Sequence, residues 1–135
     1  MSLNIEEKDL EGVVILKLDG RITVGKEATA LRSATDALGA AGRRNLVLDL
    51  AKVDYIDSTG LGALVMIANT MRKGGGNAKL LNLNRRNIEL LVMTKLATVF
   101  EIFNDEHDAI NSYFPDRKIK SFDILNFVQQ MKQEE

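Results

Sequence analysis

A polar turn that joins a buried strand to a helix constrains this chain more than any other stretch. Residues 46–50, Leu-Val-Leu-Asp-Leu, are typical of a strand, and residues 61–73 repeat apolar side chains at helical spacing. The connection between them ends in the run Asp57-Ser58-Thr59-Gly60-Leu61-Gly62. Ser58 is predicted to cap the helix, because a serine hydroxyl there can accept a hydrogen bond from a backbone N–H two or three residues later. The sequence therefore predicts a strand–turn–helix unit with a hydroxyl at the turn.

The predicted position of Ser58 favours a phosphate. The first N–H groups of a helix lack partners within the helix and carry partial positive charge, so anions bind there. Gly60 and Gly62 keep side-chain bulk away from the hydroxyl, so the active site of another protein could approach it closely. We interpret Ser58 as the substrate of another enzyme and not as a catalytic residue.

The helix after this turn is apolar on two faces. One stripe, suited to packing on a sheet, consists of Leu61, Leu64, Val65, Ala68 and Met71. The opposite face carries Gly62, Ala63, Met66 and Thr70, with Ile67 on its flank. Two explanations are open for this second face. Either another element of the chain covers it, or Met66 and Ile67 extend a partner-binding patch from the Ser58 turn, since methionine adapts to varied surfaces.

Strand and helix patterns alternate along the rest of the chain. Glu11-Gly12 predicts a tight hairpin between two N-terminal strands, the second of which begins at Val13 and ends at Gly20. Further strands are predicted over residues 78–83 and 99–103, and helices over residues 26–41, 85–94 (capped by Asn84) and after a cap at Asp105. This order predicts an α/β fold: a mixed, mostly parallel sheet of about five strands with helices packed on it.

The single proline, Pro115, marks the end of this alternation. We predict a domain over residues 1–115 and a C-terminal extension over residues 116–135, with an amphipathic helix from Ser121 to Lys132. This helix either packs back on the domain or serves in self-association or partner contact, which leaves a homodimer open.

Composition excludes several classes of partner. The 135 residues carry a net charge of −1, which disfavours nucleic acid and anionic membrane surfaces as ligands. No apolar run approaches the roughly 20 residues of a membrane span, so no membrane insertion is expected. The chain has no cysteine and no basic, apolar leader at its N-terminus, which fits a cytoplasmic protein.

The side chains needed for catalysis are missing from the sequence. His107 is the single histidine, the phosphate-binding pattern Gly-x-x-x-x-Gly-Lys-Ser/Thr is absent, and Ser58 lacks the Gly-x-Ser-x-Gly elbow of hydrolases. Near one strand end lie Asp49, Asp54 and Asp57, and turn capping explains them better than a Mg²⁺ site does. We therefore expect no enzymatic activity, no catalytic residue, no metal and no cofactor.

The same central stretch resembles the signature of a known family. The runs Leu48-Asp49-Leu50, Val53-Asp54-Tyr55-Ile56 and Asp57-Ser58-Thr59-Gly60-Leu61-Gly62 resemble STAS domains, specifically the bacterial anti-sigma factor antagonists. In element order the resemblance extends from Leu3 to Phe114. It implies a STAS-like fold in which Ser58 is phosphorylated by the partner anti-sigma factor, itself a serine kinase of the histidine-kinase-like ATPase type.

The resemblance also implies a cycle and a docking surface. The unphosphorylated protein would bind the kinase and so release a sigma factor, the phosphorylated protein would dissociate, and a PPM-type serine phosphatase would reset it. Asp57 would flank the acceptor, and Thr59, Gly60, Leu61 and Gly62 would form the edge of the docking surface, which Met66 extends. The predicted role is therefore transcription regulation by a phosphoprotein.

One departure from the family pattern bears on the partner. The loop after the second strand usually carries an acidic residue, whereas this chain has Gly20-Arg21-Ile22-Thr23, so Thr23 leaves the identity of the kinase open.

Two alternative functions are open as well: a STAS-type accessory subunit of a transporter ATPase complex, or a binding or sensor domain that is not phosphorylated.

Overall fold

An N-terminal hairpin forms one edge of the sheet. Strand β1 (Asn4–Leu10) runs antiparallel to β2 (Val13–Ile22). At the turn both Glu11 and Gly12 have positive φ, 55° and 83°, which is the backbone of the two-residue hairpin turns that match the twist of the strands. The predicted hairpin is confirmed.

The rest of the chain alternates helices and strands, in a computed structural model that describes residues 3–120 and 122–134. The elements are α1 (Lys26–Ala40), β3 (Asn45–Ile56), α2 (Ser58–Lys73), β4 (Asn77–Leu81), α3 (Arg85–Met93), β5 (Ile102–Phe103), α4 (Glu106–Asn111) and α5 (Ile124–Glu134). The strand order is β1-β2-β3-β4-β5, and all pairs after the first are parallel. The mixed, mostly parallel sheet expected from the sequence is confirmed.

Both faces of the sheet are covered near the starts of β2 and β3, which explains why residues 13–16 and 46–48 are all apolar and buried. Successive side chains of a strand point to opposite faces. Leu16 and Leu48 therefore belong to the larger core cluster, with buried residues of α1, α2 and α3, while Ile15 and Val47 belong to a second cluster with α4. A parallel sheet with helices on both faces needs such continuous apolar strands.

The second, smaller cluster is held by polar side chains. The hydroxyl of Tyr113, just after α4, lies 2.6 Å from the Leu46 carbonyl oxygen and 2.9 Å from that of Asn77. Burial raises the pKa of Tyr113 above its ordinary value of 10.0. Beside it the buried Lys79 ammonium pairs with Glu101 at 3.0 Å and lies 4.2 Å from the centre of the Tyr113 ring. These contacts fix α4 to the starts of β3 and β4.

The bounds of β2, β3, β4 and β5 differ from the sequence prediction. Strand β3 was predicted over residues 46–50 and continues to Ile56, and β4 was predicted to end at residue 83 and ends at Leu81. Strand β2 does not end at Gly20 but continues to Ile22. Its register with β3 shifts twice, between Lys17 and Asp19 and between Gly20 and Arg21, and pairing continues to the end of the strand. Strand β5 has only two residues, Ile102 and Phe103, where five were predicted, because it pairs only with the last two residues of β4. The predicted helix caps Asn84 and Asp105 are confirmed, each accepting from the backbone N–H three residues later.

The C-terminal segment packs back on the domain. Phe122, Ile124 and Phe127 contact the larger core cluster, and the Phe122 N–H donates to the Ile102 carbonyl oxygen at 2.9 Å on the outer side of β5. Leu125 points away from the domain and is 74% exposed. This is the packing interpretation of the segment; its predicted first residue, Ser121, lies outside the described residues. The domain boundary at Pro115 and any self-association stay predictions.

Candidate functional site

The start of α2 is capped by Asp57. This residue has an extended backbone (φ −91°, ψ −179°), and its Oδ1 atom accepts a hydrogen bond from the Gly60 N–H at 2.7 Å. The prediction that Ser58 caps the helix is therefore wrong. Both residue types make good caps, but a carboxylate at the positive end of the helix dipole gains a charge interaction that a hydroxyl lacks. Ser58 is instead the first helical residue.

As a result, the Ser58 side chain is left at the surface. Ser58 and Thr59 are both exposed on the first turn of α2. Since Asp57 carries the cap, modification of the Ser58 oxygen removes no hydrogen bond that the helix start depends on. The site thus combines an exposed hydroxyl with a helix start that Asp57 already caps.

The carboxylate of Asp57 also reaches a second element. Its Oδ2 atom accepts from the Val24 N–H at 2.9 Å, in the loop between β2 and α1. The Gly60 N–H above all, and also those of Val24 and Thr59, hold the pKa of Asp57 below its ordinary value of 3.8, against the opposing effect of burial. Asp57 is therefore an ionised bridge between α2 and this loop at neutral pH.

Two glycines of the turn have different structural roles. A Cβ atom added at the buried Gly60 would lie 1.9 Å from the Ile22 carbonyl oxygen, so only glycine lets α2 approach the end of β2 this closely. At Gly62 the corresponding space is empty to 4 Å and open to solvent. Gly60 thus serves the fold, whereas no packing contact explains a glycine at position 62.

A groove runs between α1 and α2 from the Ser58 turn. It encloses about 500 Å³, and it is lined by Gly25, Ala28, Thr29, Arg32, Thr59, Gly62, Ala63, Val65 and Met66. Met66 is 48% exposed at its rim, whereas Ala63 and Ile67 are buried. Each explanation of the second face of α2 therefore holds for some residues: the chain itself covers Ala63 and Ile67, and Met66 is left at the surface. The hypothesis that Ile67 extends a partner-binding patch is wrong, because its side chain is buried.

The predicted contact residues separate in the same way. Thr59, Gly62 and Met66 lie together on the exposed side of α2, and Asp57 is partly exposed beside them. Gly60 and Leu61 are buried, Leu61 to 6% exposure within the larger core cluster, so the expectation that they contact a partner is corrected. Their side of the helix packs on the sheet.

Sequence reasoning missed Val24. Its side chain is 67% exposed, and its N–H donates to Asp57, so an apolar side chain lies beside the Ser58 turn. The residues 23–25 have no periodic pattern that predicts this, and the bond joins positions far apart in the sequence. The apolar character of Val24 in an otherwise polar loop was the one sequence feature that could have indicated its place at the site.

The carboxylates near the site do not form a metal centre. Asp49 accepts from the Ala51 N–H at 3.1 Å, Asp54 lies 3.9 Å from Arg21, and Asp57 caps α2, so the three serve separate partners. Within residues 3–120 and 122–134, no three His, Cys, Asp or Glu side chains are grouped so as to hold a metal ion. Nor does any helix of this part of the chain have the length and apolar content needed to cross a lipid bilayer.

Comparison with known proteins shows which family has this architecture. Residues 4–109 match the family model of the STAS domain. The chain belongs to the STAS domain family. The anti-sigma-B factor antagonist of Bacillus subtilis (strain 168) is 35% identical to this STAS protein over 102 residues, which cover 76% of this chain and 92% of that one. The resemblance read from the central stretch is confirmed at the level of the family.

Solved structures confirm the expected STAS-like fold. The Thermotoga maritima protein TM1081 superimposes with a TM-score of 0.75 at 25% identity, covering 80% of this chain and 92% of that one. The anti-sigma factor antagonist SpoIIAA in its unphosphorylated form gives a TM-score of 0.64 at 16% identity, covering 84% and 98%. Its phosphorylated form gives 0.63 at 16% identity, covering 82% and 98%, so the shared fold accommodates both forms of that protein.

Proposed function

We propose that this STAS protein is an anti-sigma factor antagonist switched by phosphorylation of Ser58. In the proposed cycle the unmodified protein binds an anti-sigma factor that is a serine kinase, and so releases a sigma factor. Phosphorylation ends the complex, and a PPM-type serine phosphatase restores the unmodified form. The relatives named as anti-sigma factor antagonists support the regulatory role, and the exposed hydroxyl of Ser58 at the start of α2 supports the phosphorylation step.

The surface around Ser58 fits the approach of a kinase. Thr59, Gly62 and Met66 continue from the acceptor along the exposed side of α2 and border the groove beside α1. Gly62 leaves free space where any other residue would place a side chain. In the transfer itself, the γ-phosphoryl group of ATP passes to the Ser58 oxygen, ADP leaves, and the hydroxyl proton goes to a base of the kinase.

The same geometry explains why phosphorylation would end the complex. A phosphate adds a charge of roughly −1.5 to −2 beside the Asp57 carboxylate. Burying such a charge in an interface without a compensating partner costs several kcal/mol (roughly 3 or more), and each 1.4 kcal/mol lowers affinity by about tenfold. A loss of about a hundredfold or more in affinity is therefore expected from a local change at the surface.

Phosphate mapping tests this proposal. The protein is incubated with ATP and a candidate anti-sigma factor serine kinase from the same organism, and the modified residue is identified by mass spectrometry. We expect one phosphate on Ser58, none in the Ser58→Ala variant, and unchanged modification in Thr59→Ala, the neighbouring exposed hydroxyl. A kinase that is active on itself but leaves Ser58 unmodified would contradict the proposal and favour the unphosphorylated transporter or sensor roles.

A further inference from the structure

The Asp57 carboxylate uses its two oxygens for two separate parts of the chain. Oδ1 accepts from the Gly60 N–H at 2.7 Å, within the first turn of α2, and Oδ2 accepts from the Val24 N–H at 2.9 Å, in the loop between β2 and α1. The backbone N–H of Asp57 itself donates to the Ile22 carbonyl oxygen at 3.2 Å. The residue before Ser58 is therefore bonded to the last residue of β2 through its backbone and to the β2–α1 loop through its side chain.

The tied loop forms part of the surface beside Ser58. Gly25 lines the groove on the side of α1, opposite Thr59 and Gly62 of α2. Val24 precedes it with its side chain 67% exposed. A shift of the loop would therefore change the width of the groove and the position of an exposed apolar side chain next to the acceptor.

We propose that Asp57 is a positioning residue whose bond to Val24 holds the β2–α1 loop in the partner-binding conformation, and that phosphorylation of Ser58 weakens this bond. The inference rests on the proposed function. A phosphate on Ser58 competes for the N–H groups at the start of α2, because these attract anions, and it repels the carboxylate of Asp57. The phosphate can satisfy the helix start in place of Asp57, whereas the Val24 N–H is bonded to Asp57 Oδ2 at 2.9 Å and loses this charged acceptor when the carboxylate is displaced. The loop is therefore the part that is released.

One substitution separates the two bonds of Asp57. Asparagine is as good an N-cap as aspartate, so Asp57→Asn keeps an acceptor for Gly60. Its second side-chain group is an NH₂ donor, which cannot accept from the Val24 N–H. The variant thus loses the tie to the loop, while its side-chain volume and helix cap are retained.

Solvent exchange of the Val24 amide, measured by NMR, tests the tie without any partner. Protein with phosphoserine incorporated at position 58 is compared with unmodified protein, each with Asp57 and with Asp57→Asn. We expect phosphoserine to accelerate Val24 exchange about tenfold or more when Asp57 is present, as for loss of a hydrogen bond to a charged acceptor. With Asp57→Asn we expect fast exchange already and no further effect of phosphoserine. Exchange that is unaffected by phosphoserine, or accelerated equally in both backgrounds, would overturn the inference.

Binding of the same four proteins to the kinase, measured by calorimetry, tests the consequence. Asp57→Asn is expected to weaken binding about tenfold although Ser58 is unmodified, with the circular dichroism spectrum of the folded protein retained. If Asp57→Asn binds like the native protein while phosphoserine alone abolishes binding, the positioning role is refuted and the proposed function stands. If phosphoserine does not alter binding, the proposed function itself fails, whatever the exchange of Val24.

Discussion

Alanine substitutions at Gly60 and Gly62 should change stability in opposite directions. Gly60 and Gly62 lie two positions apart near the start of α2, and both would receive the same methyl group. At Gly60 that methyl carbon would lie 1.9 Å from the Ile22 carbonyl oxygen, 2.7 Å from the carbonyl carbon and 2.9 Å from Cγ2 of the Ile22 side chain. At Gly62 it would meet nothing within 4 Å. The comparison therefore isolates the close approach of α2 to β2.

The magnitudes follow from this geometry. Real Cβ atoms do not approach other atoms to less than about 3.0 Å, so in Gly60→Ala the helix start must move by at least about 1 Å away from a rigid backbone. Overpacking typically costs about 1–3 kcal/mol, and contact with backbone puts this site at the upper end or beyond. The gain in helix propensity, about 1 kcal/mol for glycine to alanine, offsets only part of it. Gly62→Ala receives that gain without a clash.

Thermal and urea unfolding, followed by circular dichroism, measure both effects. We expect Gly60→Ala to lose about 2 kcal/mol of unfolding free energy and about 8 °C in Tm, and Gly62→Ala to gain about 0.5–1 kcal/mol and about 2–4 °C. Gly62→Ala should nevertheless bind the kinase more weakly, because the new methyl group occupies the exposed surface beside the acceptor. Equal stability changes in the two variants would refute the assignment of Gly60 to packing and of Gly62 to the surface.

Four further outcomes are expected. Ser58→Asp should abolish kinase binding, measured by calorimetry, and leave Tm nearly unchanged, since the residue is exposed and does not cap the helix. Urea midpoints should fall more steeply below about pH 4 for the native protein than for Asp57→Asn, because the lowered pKa of Asp57 gives stability that is present above 3.8 and lost as the pH falls through the folded-state pKa. Tyr113→Phe should lose about 1–3 kcal/mol by urea unfolding, because buried strand carbonyl groups lose a donor. Phe122→Ala should lower stability in the same assay by about 1–3 kcal/mol, whereas Leu125→Ala, at an exposed position of the same segment, should stay within about 0.5 kcal/mol.

The parts of the fold that could be predicted from the sequence depend on local chemistry. Glu11-Gly12 fixes a hairpin because the turn needs two positive φ angles within two residues. Asn84 and Asp105 fix helix starts because each bonds to an N–H three residues away. The apolar run of β3 is buried because it has helices on both sides, which the alternation of elements already indicated.

The parts that could not be predicted depend on contacts between distant residues. The need for glycine at position 60 comes from Ile22, at the end of a strand that was expected to stop at Gly20. The bond from Val24 to Asp57 likewise joins a loop to a turn that follows it by a helix and a strand. These partners, Ile22 and Val24, lie far from the Ser58 turn in the sequence. Local sequence patterns could therefore locate the turn but could not assign the separate roles of its residues.

The exchange of roles between Asp57 and Ser58 changes what the site can do. If the Ser58 hydroxyl capped α2, as the sequence suggested, its phosphorylation would disturb a bond worth about 1 kcal/mol to the helix, and modification would act on the fold. Because Asp57 carries the cap, the Ser58 hydroxyl makes no capping bond and is available to an enzyme. A phosphate added to it would be repelled by the neighbouring Asp57 carboxylate. After modification, either the phosphate or the Asp57 carboxylate can accept from the N–H groups at the helix start, whereas the Val24 N–H loses its charged acceptor when Asp57 is displaced. The effect of phosphorylation is therefore expected at the surface and in the β2–α1 loop, with the sheet and α2 unchanged.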